Sequence, residues 1–179
     1  MSGQKQPGSE RVTSSRRIHD GRIVNLREDT VALAGGRSAL REIVEHSDVV
    51  AIVPLDADGN VLVVRQYRLP AGEVLLEVPA GGVDQGESAE DAAQETGYRA
   101  GQLRRIGGFF VSPGYCTEFI HVFLATGLTE SALAGDADED IAVERVSLRE
   151  AIRLIDSGEI KDGKSIVGLL LAFRGAQGE

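Results

Sequence analysis

Three carboxylates spaced four residues apart follow a glycine-rich turn in the middle of the chain. The turn runs from Val78 to Gly82, and the carboxylates are Glu87, Asp91 and Glu95. On a helix this spacing stacks the side chains on one face, where like charges repel unless a cation lies among them. Mg²⁺ prefers hard oxygen ligands, and glycines let backbone groups approach its shell closely. The pattern predicts a site for a divalent cation and a phosphate, against the alternative of an ordinary solvated acidic helix.

The same stretch resembles the box of the Nudix hydrolase family, Gly-x5-Glu-x7-Arg-Glu-U-x-Glu-Glu-x-Gly-U, in which U is a bulky aliphatic residue. Gly81 and Glu87 match the opening of the box, and Glu95-Thr96-Gly97-Tyr98 matches its close. About five residues of the middle are missing, and they would hold most of the metal-binding glutamates and the box arginine. The resemblance implies a metal site for Mg²⁺, or alternatively Mn²⁺, formed by the Ala80 carbonyl, Glu87 and Glu95, in which Glu87 caps or orients the helix.

Other positions resemble the ADP-ribose pyrophosphatase branch of that family. Pro113 lies fifteen residues after Tyr98, where the branch carries a proline, and Gly114 follows it. The resemblance implies that Pro113 and Gly114 lie at the substrate. A plain β-turn is the alternative interpretation.

Two arginines on or beside predicted strands are candidates for binding a diphosphate. Arg68 lies in a segment that resembles the substrate-contacting segment of the branch, and Arg41 lies on an earlier predicted strand. A guanidinium fork suits bidentate binding of a diphosphate, although a surface salt bridge is an equal alternative. Glu77, just before the glycine-rich turn, is expected to meet ribose hydroxyls or a second subunit.

An acidic loop supplies the candidate general base. Relatives in the branch carry a catalytic glutamate on a mobile loop in this region, which implies this role for Glu139, with Asp140 as the alternative. A solvated acidic loop with no catalytic role is the competing interpretation.

Composition and net charge argue against some classes of binding partner. The chain has 179 residues, a formal net charge of −9 and a pI of about 4.9, so binding of nucleic acid is not expected. Cys116 is the only cysteine, which favours a reducing, cytoplasmic compartment. The apolar runs are too short to cross a bilayer, so no membrane partner is expected.

The order of predicted elements is strands, a helix, more strands and two helices, which predicts an α+β fold with a mixed β-sheet between helices. A small N-terminal antiparallel β unit precedes it. The predicted divisions are a disordered tail at 1–15, N-terminal strands at 16–46 that form a dimer interface, and a catalytic domain at 47–175. Helices are predicted over 147–157, after a capping box at Ser147, and over 162–173.

Two functional hypotheses remain open from the sequence. The first is a homodimeric hydrolase that converts ADP-ribose, or a related nucleoside diphosphate sugar, to AMP and ribose 5-phosphate. The second is a catalytically weak or inactive homologue that only binds such nucleotides, because the box is short. A purely structural protein is disfavoured by the glycine-rich turn together with Pro113.

Overall fold

The computed structural model describes residues 10–95, 100–129 and 142–178, and only the backbone of Gln94 and Glu95. The strands are β1 (Arg11–Asp20), β2 (Asn25–Ala32), β3 (Ser38–Glu45), β4 (Val49–Pro54), β5 (Asn60–Arg68), β6 (Glu73–Glu77), β7 (Ala80–Gly82), β8 (Ala100–Phe110), β9 (Phe119–Leu128) and β10 (Ala142–Ser147). The helices are α1 (Ala89–Glu95), α2 (Leu148–Asp156) and α3 (Gly163–Ala176).

A four-stranded mixed sheet in the order β7-β4-β9-β8 lies between helices. The central pair β4 and β9 is parallel, whereas β7 runs antiparallel to β4. Side chains of a strand alternate between faces. Val53 therefore packs in a cluster with Leu169 of α3, while Ile52 packs in another with Ala92 of α1. The predicted fold class, a mixed sheet between helices, is confirmed.

Gly168 allows α3 to approach this sheet closely. A Cβ atom at that position would lie 3.0 Å from Cγ2 of Val53. The absence of a side chain thus sets the distance at which α3 packs on β4.

A second sheet, in the order β10-β5-β6, is antiparallel throughout. In the turn before β5, Asp56 accepts hydrogen bonds from the Asn60 and Asp58 amides. After β10, Ser147 caps α2 by accepting a hydrogen bond from the Glu150 amide, as the capping box predicts. Asp162 caps α3 in the same way through Ser165.

The N-terminal strands form an antiparallel three-stranded sheet in the order β1-β2-β3. The sequence predicts a disordered tail over 1–15, but β1 begins at Arg11, so residues 11–15 are strand. A polar segment can form a strand when a neighbour satisfies its backbone, and Arg11 pairs with Ala32 of β2. Only the part of the predicted tail before Glu10 lies outside the described residues.

The contacts divide the chain into two units. One comprises the chain up to residue 47 together with 110–118, and the other comprises 48–109 and 119–179. The segment 110–118 joins the first unit because the Val44 amide donates to the Tyr115 carbonyl at 2.7 Å. The predicted division instead assigns the segment 110–118 to the catalytic domain.

No helix of the described residues combines the length and apolar character needed to span a membrane.

Candidate active site

The glycine-rich turn is a short strand, β7, at the edge of its sheet. Backbone hydrogen bonds hold the turn at both of its ends. The Ile52 amide donates to the Pro79 carbonyl at 2.9 Å. The Val83 amide donates to the Asp48 carbonyl, also at 2.9 Å. The core sheet therefore fixes the position of the turn that the sequence predicts to lie beside a metal.

The pairing register fixes the direction of the Ala80 carbonyl. Antiparallel strands alternate between pairs that exchange hydrogen bonds and pairs that do not. Pro79 opposite Ile52 is a bonded position, so Ala80 opposite Ala51 is a non-bonded one. The Ala80 carbonyl consequently points away from β4, toward the outer edge of the sheet. A shift of one residue in this register would turn it back into the ladder.

Glu87 precedes helix α1 instead of lying on it. Its Oε2 accepts a hydrogen bond from the Asp84 amide at 2.9 Å, and its own amide donates to the Asp84 carbonyl at 3.0 Å. Gly86 between them has a φ of 90°, in the left-handed region that interrupts a helix. The predicted stack of three carboxylates on one helical face is therefore wrong for Glu87, whose carboxylate closes the turn before the helix.

Helix α1 begins after Ser88. The Ser88 hydroxyl accepts a hydrogen bond from the Asp91 amide at 3.1 Å and donates to Asp91 Oδ2 at 2.6 Å. Ala92 and Ala93 are buried in the cluster on that side of the sheet. This seven-residue helix is thus capped and anchored to the core, although the box is short.

The acidic residues of the described chain do not gather around one point. In the described residues, no group of three or more His, Cys, Asp or Glu side chains could hold a metal ion. The carboxylates of Glu87 and Asp91 accept hydrogen bonds from neighbouring groups. The Glu95 side chain, Glu139 and Asp140 lie outside the described part of the chain. The described residues alone therefore do not complete the oxygen donor set that a divalent cation needs.

A buried ion cluster lies just before the glycine-rich turn. Glu77, the last residue of β6, is 1% exposed. Arg68 of β5 donates to it twice, from Nε at 2.8 Å and from Nη2 at 2.7 Å. Lys164 Nζ lies 2.5 Å from its Oε2. Burial alone would raise the pKa of Glu77, but the hydrogen bonds from Arg68 and Lys164 outweigh burial and lower it.

This arrangement gives Arg68 a fixed orientation. Its bidentate pairing with Glu77 holds the plane of the guanidinium, and the side chain is still 39% exposed. A guanidinium that is fixed in this way and reachable from solvent carries a charge that can attract an anion such as a diphosphate. Both oxygens of Glu77 are occupied by cations, so its predicted contact with ribose hydroxyls or a second subunit stays a prediction that competes with these bonds.

The first turn of α3 supports the same strand end. The Ser165 hydroxyl accepts a hydrogen bond from the Val78 amide at 2.8 Å and donates to Asp162 Oδ2 at 2.5 Å. Sequence reasoning misses Lys164 and Ser165. The available signal is Glu77, since a carboxylate at the end of an apolar strand needs a cation nearby.

Three other predicted residues lie in the N-terminal unit. Arg41 forms two hydrogen bonds with Glu10, at 3.0 and 2.5 Å, and is 40% exposed. Pro113 and Gly114 lie in a tight turn in which the Tyr115 amide donates to the Ser112 carbonyl at 3.1 Å. The structure thus gathers Arg68, Glu77 and Ala80 in one unit, and places Arg41, Pro113 and Gly114 in the other.

Two family models match consecutive parts of the chain. Residues 45–167 match the NUDIX domain family, and residues 10–44 match the nucleoside diphosphate sugar hydrolase N-terminal domain family. The chain belongs to the Nudix hydrolase family. The predicted family and enzyme class are therefore confirmed, and the glycine-rich turn with β7 and α1, which resembles the Nudix box, lies within the matched domain.

Two relatives of this Nudix hydrolase are named as pyrophosphatases. It is 36% identical over 163 residues to an ADP-ribose pyrophosphatase of Bacillus subtilis, covering 87% of this chain and 88% of the relative. It is 34% identical over 142 residues to a GDP-mannose pyrophosphatase of Pectobacterium atrosepticum, covering 72% and 74%. A crystal structure of an ADP compounds hydrolase superposes with a TM-score of 0.86, covering 98% of both chains at 20% identity, which supports the fold.

Proposed function

We propose that this Nudix hydrolase cleaves the diphosphate of ADP-ribose, or of a related nucleoside diphosphate sugar, to AMP and ribose 5-phosphate. A water oxygen forms a bond to one phosphorus, and the bond from that phosphorus to the bridging oxygen breaks. The observation that carries the proposal is the Arg68 fork, which Glu77 fixes beside the strand leading into the Nudix box. The names of the relatives in both substrate classes support it.

The chain's own residues have distinct proposed roles. Arg68 binds the diphosphate, and Glu77 keeps its guanidinium in one plane. Arg41, Pro113 and Gly114 are also proposed as substrate-binding residues. Glu139 is the proposed general base, with Asp140 as its alternative.

A divalent metal is the proposed cofactor, since Nudix enzymes generally use such cations. Mg²⁺ is the first candidate and Mn²⁺ the second, because both accept hard oxygen ligands. The proposed donors are the Ala80 carbonyl, which points to the open edge of β7, with Glu87 and Glu95. The described residues supply only part of this set.

A second candidate function is nucleotide binding without efficient hydrolysis. The missing segment of the box favours it. In this case the Arg68 site would retain the ligand and the chemical step would be lost.

One comparison separates the two functions. Hydrolysis of ADP-ribose with Mg²⁺ is measured for the chain as it stands and after insertion of Arg-Glu-Leu-Gln-Glu between Gln94 and Glu95. The matched control inserts Arg-Gln-Leu-Gln-Gln, which restores the length without the carboxylates. Turnover by the unmodified chain, with a gain well below a hundredfold on insertion, supports the hydrolase.

The other outcomes are equally informative. A gain of at least about a hundredfold that the control insertion lacks shows that the short box removed catalysis, since a lost charge-stabilising contact is worth several kcal/mol. No binding and no turnover in any form would overturn both functions.

We also propose a homodimer formed through the N-terminal strands. Strand β1 is exposed along its whole length, and Val12, Ile18 and Leu40 are large exposed apolar residues in this sheet. Light scattering should give twice the chain mass of 19.0 kDa, and a mass of one chain at micromolar concentration would refute the dimer.

The single cysteine supports a cytoplasmic location, which fractionation would test.

A further inference from the structure

His121, on β9, lies between two side chains of opposite charge. Its Nε2 lies 2.9 Å from Oδ2 of Asp48, which directly precedes β4, and its Nδ1 lies 2.8 Å from Nη2 of Arg105 on β8. The imidazole is 15% exposed, whereas the Asp48 side chain is 45% exposed. All three residues belong to the unit that contains the glycine-rich turn.

These two contacts determine the tautomer of His121. A guanidinium has only N–H donors, so Nδ1 must accept the hydrogen bond from Arg105 and carries no proton. Nε2 therefore carries the proton and donates to the Asp48 carboxylate. A doubly protonated ring would direct an N–H group at the N–H groups of Arg105. The geometry thus fits a neutral imidazole with its proton on Nε2.

His121 lies on the face of the four-stranded sheet that packs against α1. Side chains two residues apart on a strand share a face. Phe123, two residues after His121, packs in one buried cluster with Ala92 of α1. Val50, which pairs with His121 and follows Asp48 by two residues, belongs to the same cluster. The histidine and its carboxylate are therefore on the side of the sheet that carries the box helix.

The backbone of Asp48 holds the end of the glycine-rich turn. Its carbonyl accepts a hydrogen bond from the Val83 amide at 2.9 Å. The next residue, Val49, begins the pairing of β4 with β7, which directs the Ala80 carbonyl. Because His121 holds the side chain of Asp48, it is connected through one residue to the end of the turn.

We propose that His121 is a positioning residue for the proposed metal site. Its Nε2–H group anchors Asp48, and the backbone of Asp48 keeps the end of the turn on β4. Arg105 orients the ring by donating to Nδ1. The inference rests on the proposed function, because it takes the Ala80 carbonyl as a metal donor.

Three variants and one control separate the ring nitrogens from the ring itself. His121→Phe keeps the aromatic ring, whose centroid lies 4.9 Å from that of Phe119, and removes both nitrogens. His121→Gln is the matched control, since its amide oxygen and N–H group can replace the acceptor and the donor. Asp48→Ala removes the carboxylate and keeps the carbonyl. The double variant Asp48→Ala/His121→Phe tests whether His121 acts through Asp48.

Three quantities are measured on the full chain. Nitrogen NMR chemical shifts of the His121 ring report its tautomer. Hydrogen exchange of the Val83 amide reports how often the end of the turn opens, and it requires no activity. The Mg²⁺ concentration that gives half the maximal rate of ADP-ribose hydrolysis reports the metal site.

We expect the Nε2–H tautomer in the wild type. His121→Phe and Asp48→Ala should each raise the Val83 exchange rate and the half-maximal Mg²⁺ concentration about tenfold, with kcat at saturating Mg²⁺ within about threefold. The double variant should match the single variants, because all of them break the same link. His121→Gln should stay within about threefold of the wild type, since both hydrogen bonds can be kept. A merely structural role would lower stability without separating the Mg²⁺ requirement from kcat.

Four results discriminate further. Unchanged Val83 exchange in His121→Phe would overturn the inference, and if that variant does not fold, Asp48→Ala decides in the same way. An effect of about a hundredfold in the double variant would overturn it too, because the two residues would then act independently. An Nδ1–H tautomer would also contradict it. A wild type that hydrolyses no nucleoside diphosphate sugar would instead overturn the proposed function, and Val83 exchange would still test the anchor.

Discussion

Replacing Ser165 with alanine removes a hydroxyl that joins α3 to the strand end before the glycine-rich turn. The Ser165 side chain is fully buried, at 0% exposure. Its hydroxyl accepts a hydrogen bond from the Val78 amide at 2.8 Å and donates to Asp162 at 2.5 Å. Val78 is itself buried, so no solvent can replace the lost acceptor.

The size of the effect follows from these two bonds. A buried amide left without an acceptor costs about 1–3 kcal/mol, and a hydrogen bond to a charged group contributes about 1.5–3 kcal/mol. The two contributions share one hydroxyl and are not additive, so we expect the free energy of unfolding to fall by about 3 kcal/mol. For a chain of this size the melting temperature should fall by about 6–12 °C.

Urea unfolding followed by circular dichroism measures this loss, with the slope m unchanged if only the folded state is affected. Ser157→Ala is the matched control, because Ser157 is exposed and its hydroxyl donates only to the Leu154 carbonyl at 3.2 Å. The control should change stability by less than about 0.5 kcal/mol. A loss below about 1 kcal/mol for Ser165→Ala, at unchanged m, would show that the hydroxyl does not hold the strand end.

Two further predictions concern the ion cluster. Because the pKa of Glu77 is lowered in the folded state, its ionised form stabilises the fold above the unfolded-state pKa, and this contribution is lost as pH falls through the folded-state value. Urea unfolding between about pH 5 and pH 3 should show a steeper loss of stability for the wild type than for Glu77→Gln, and parallel losses would contradict it. Arg68→Lys keeps the charge but loses the bidentate fork, so KM for ADP-ribose should rise about tenfold, whereas Arg65→Lys on the same strand should change it less than twofold. Equal KM values for the two lysine variants would exclude a special role for Arg68.

The elements that depend on local pattern could be predicted from the sequence. The continuous apolar run of β4 is typical of a strand that is covered on both faces, and its residues from Val50 to Pro54 are buried. Ser147 and Asp56 act through bonds to residues two to four positions away, which a short window of sequence contains. The fold class follows from the order of these elements.

The contacts that organise the candidate site are less local. Lys164 and Glu77 are 87 residues apart, and any of the 19 lysine and arginine residues could serve as the partner of a buried glutamate. The spacing of the carboxylates could not predict the position of Glu87 either. Residues four apart lie on one helical face only if the helix includes all of them, and α1 begins after Glu87. The positive φ of Gly86 keeps Glu87 out of a helix that would otherwise begin earlier. A glycine adopts or avoids this conformation according to its tertiary context.

The short box changes the carboxylate donors of the proposed metal site more than it changes the backbone that positions them. Helix α1 spans seven residues, about 10 Å, yet Ala92 and Ala93 still anchor it to β4. The register with β4 fixes Ala80 independently of α1. Loss of the middle of the box therefore removes carboxylates without releasing the glycine-rich turn. For this reason an insertion between Gln94 and Glu95 tests the donors themselves, and the carboxylate-free control insertion separates them from helix length.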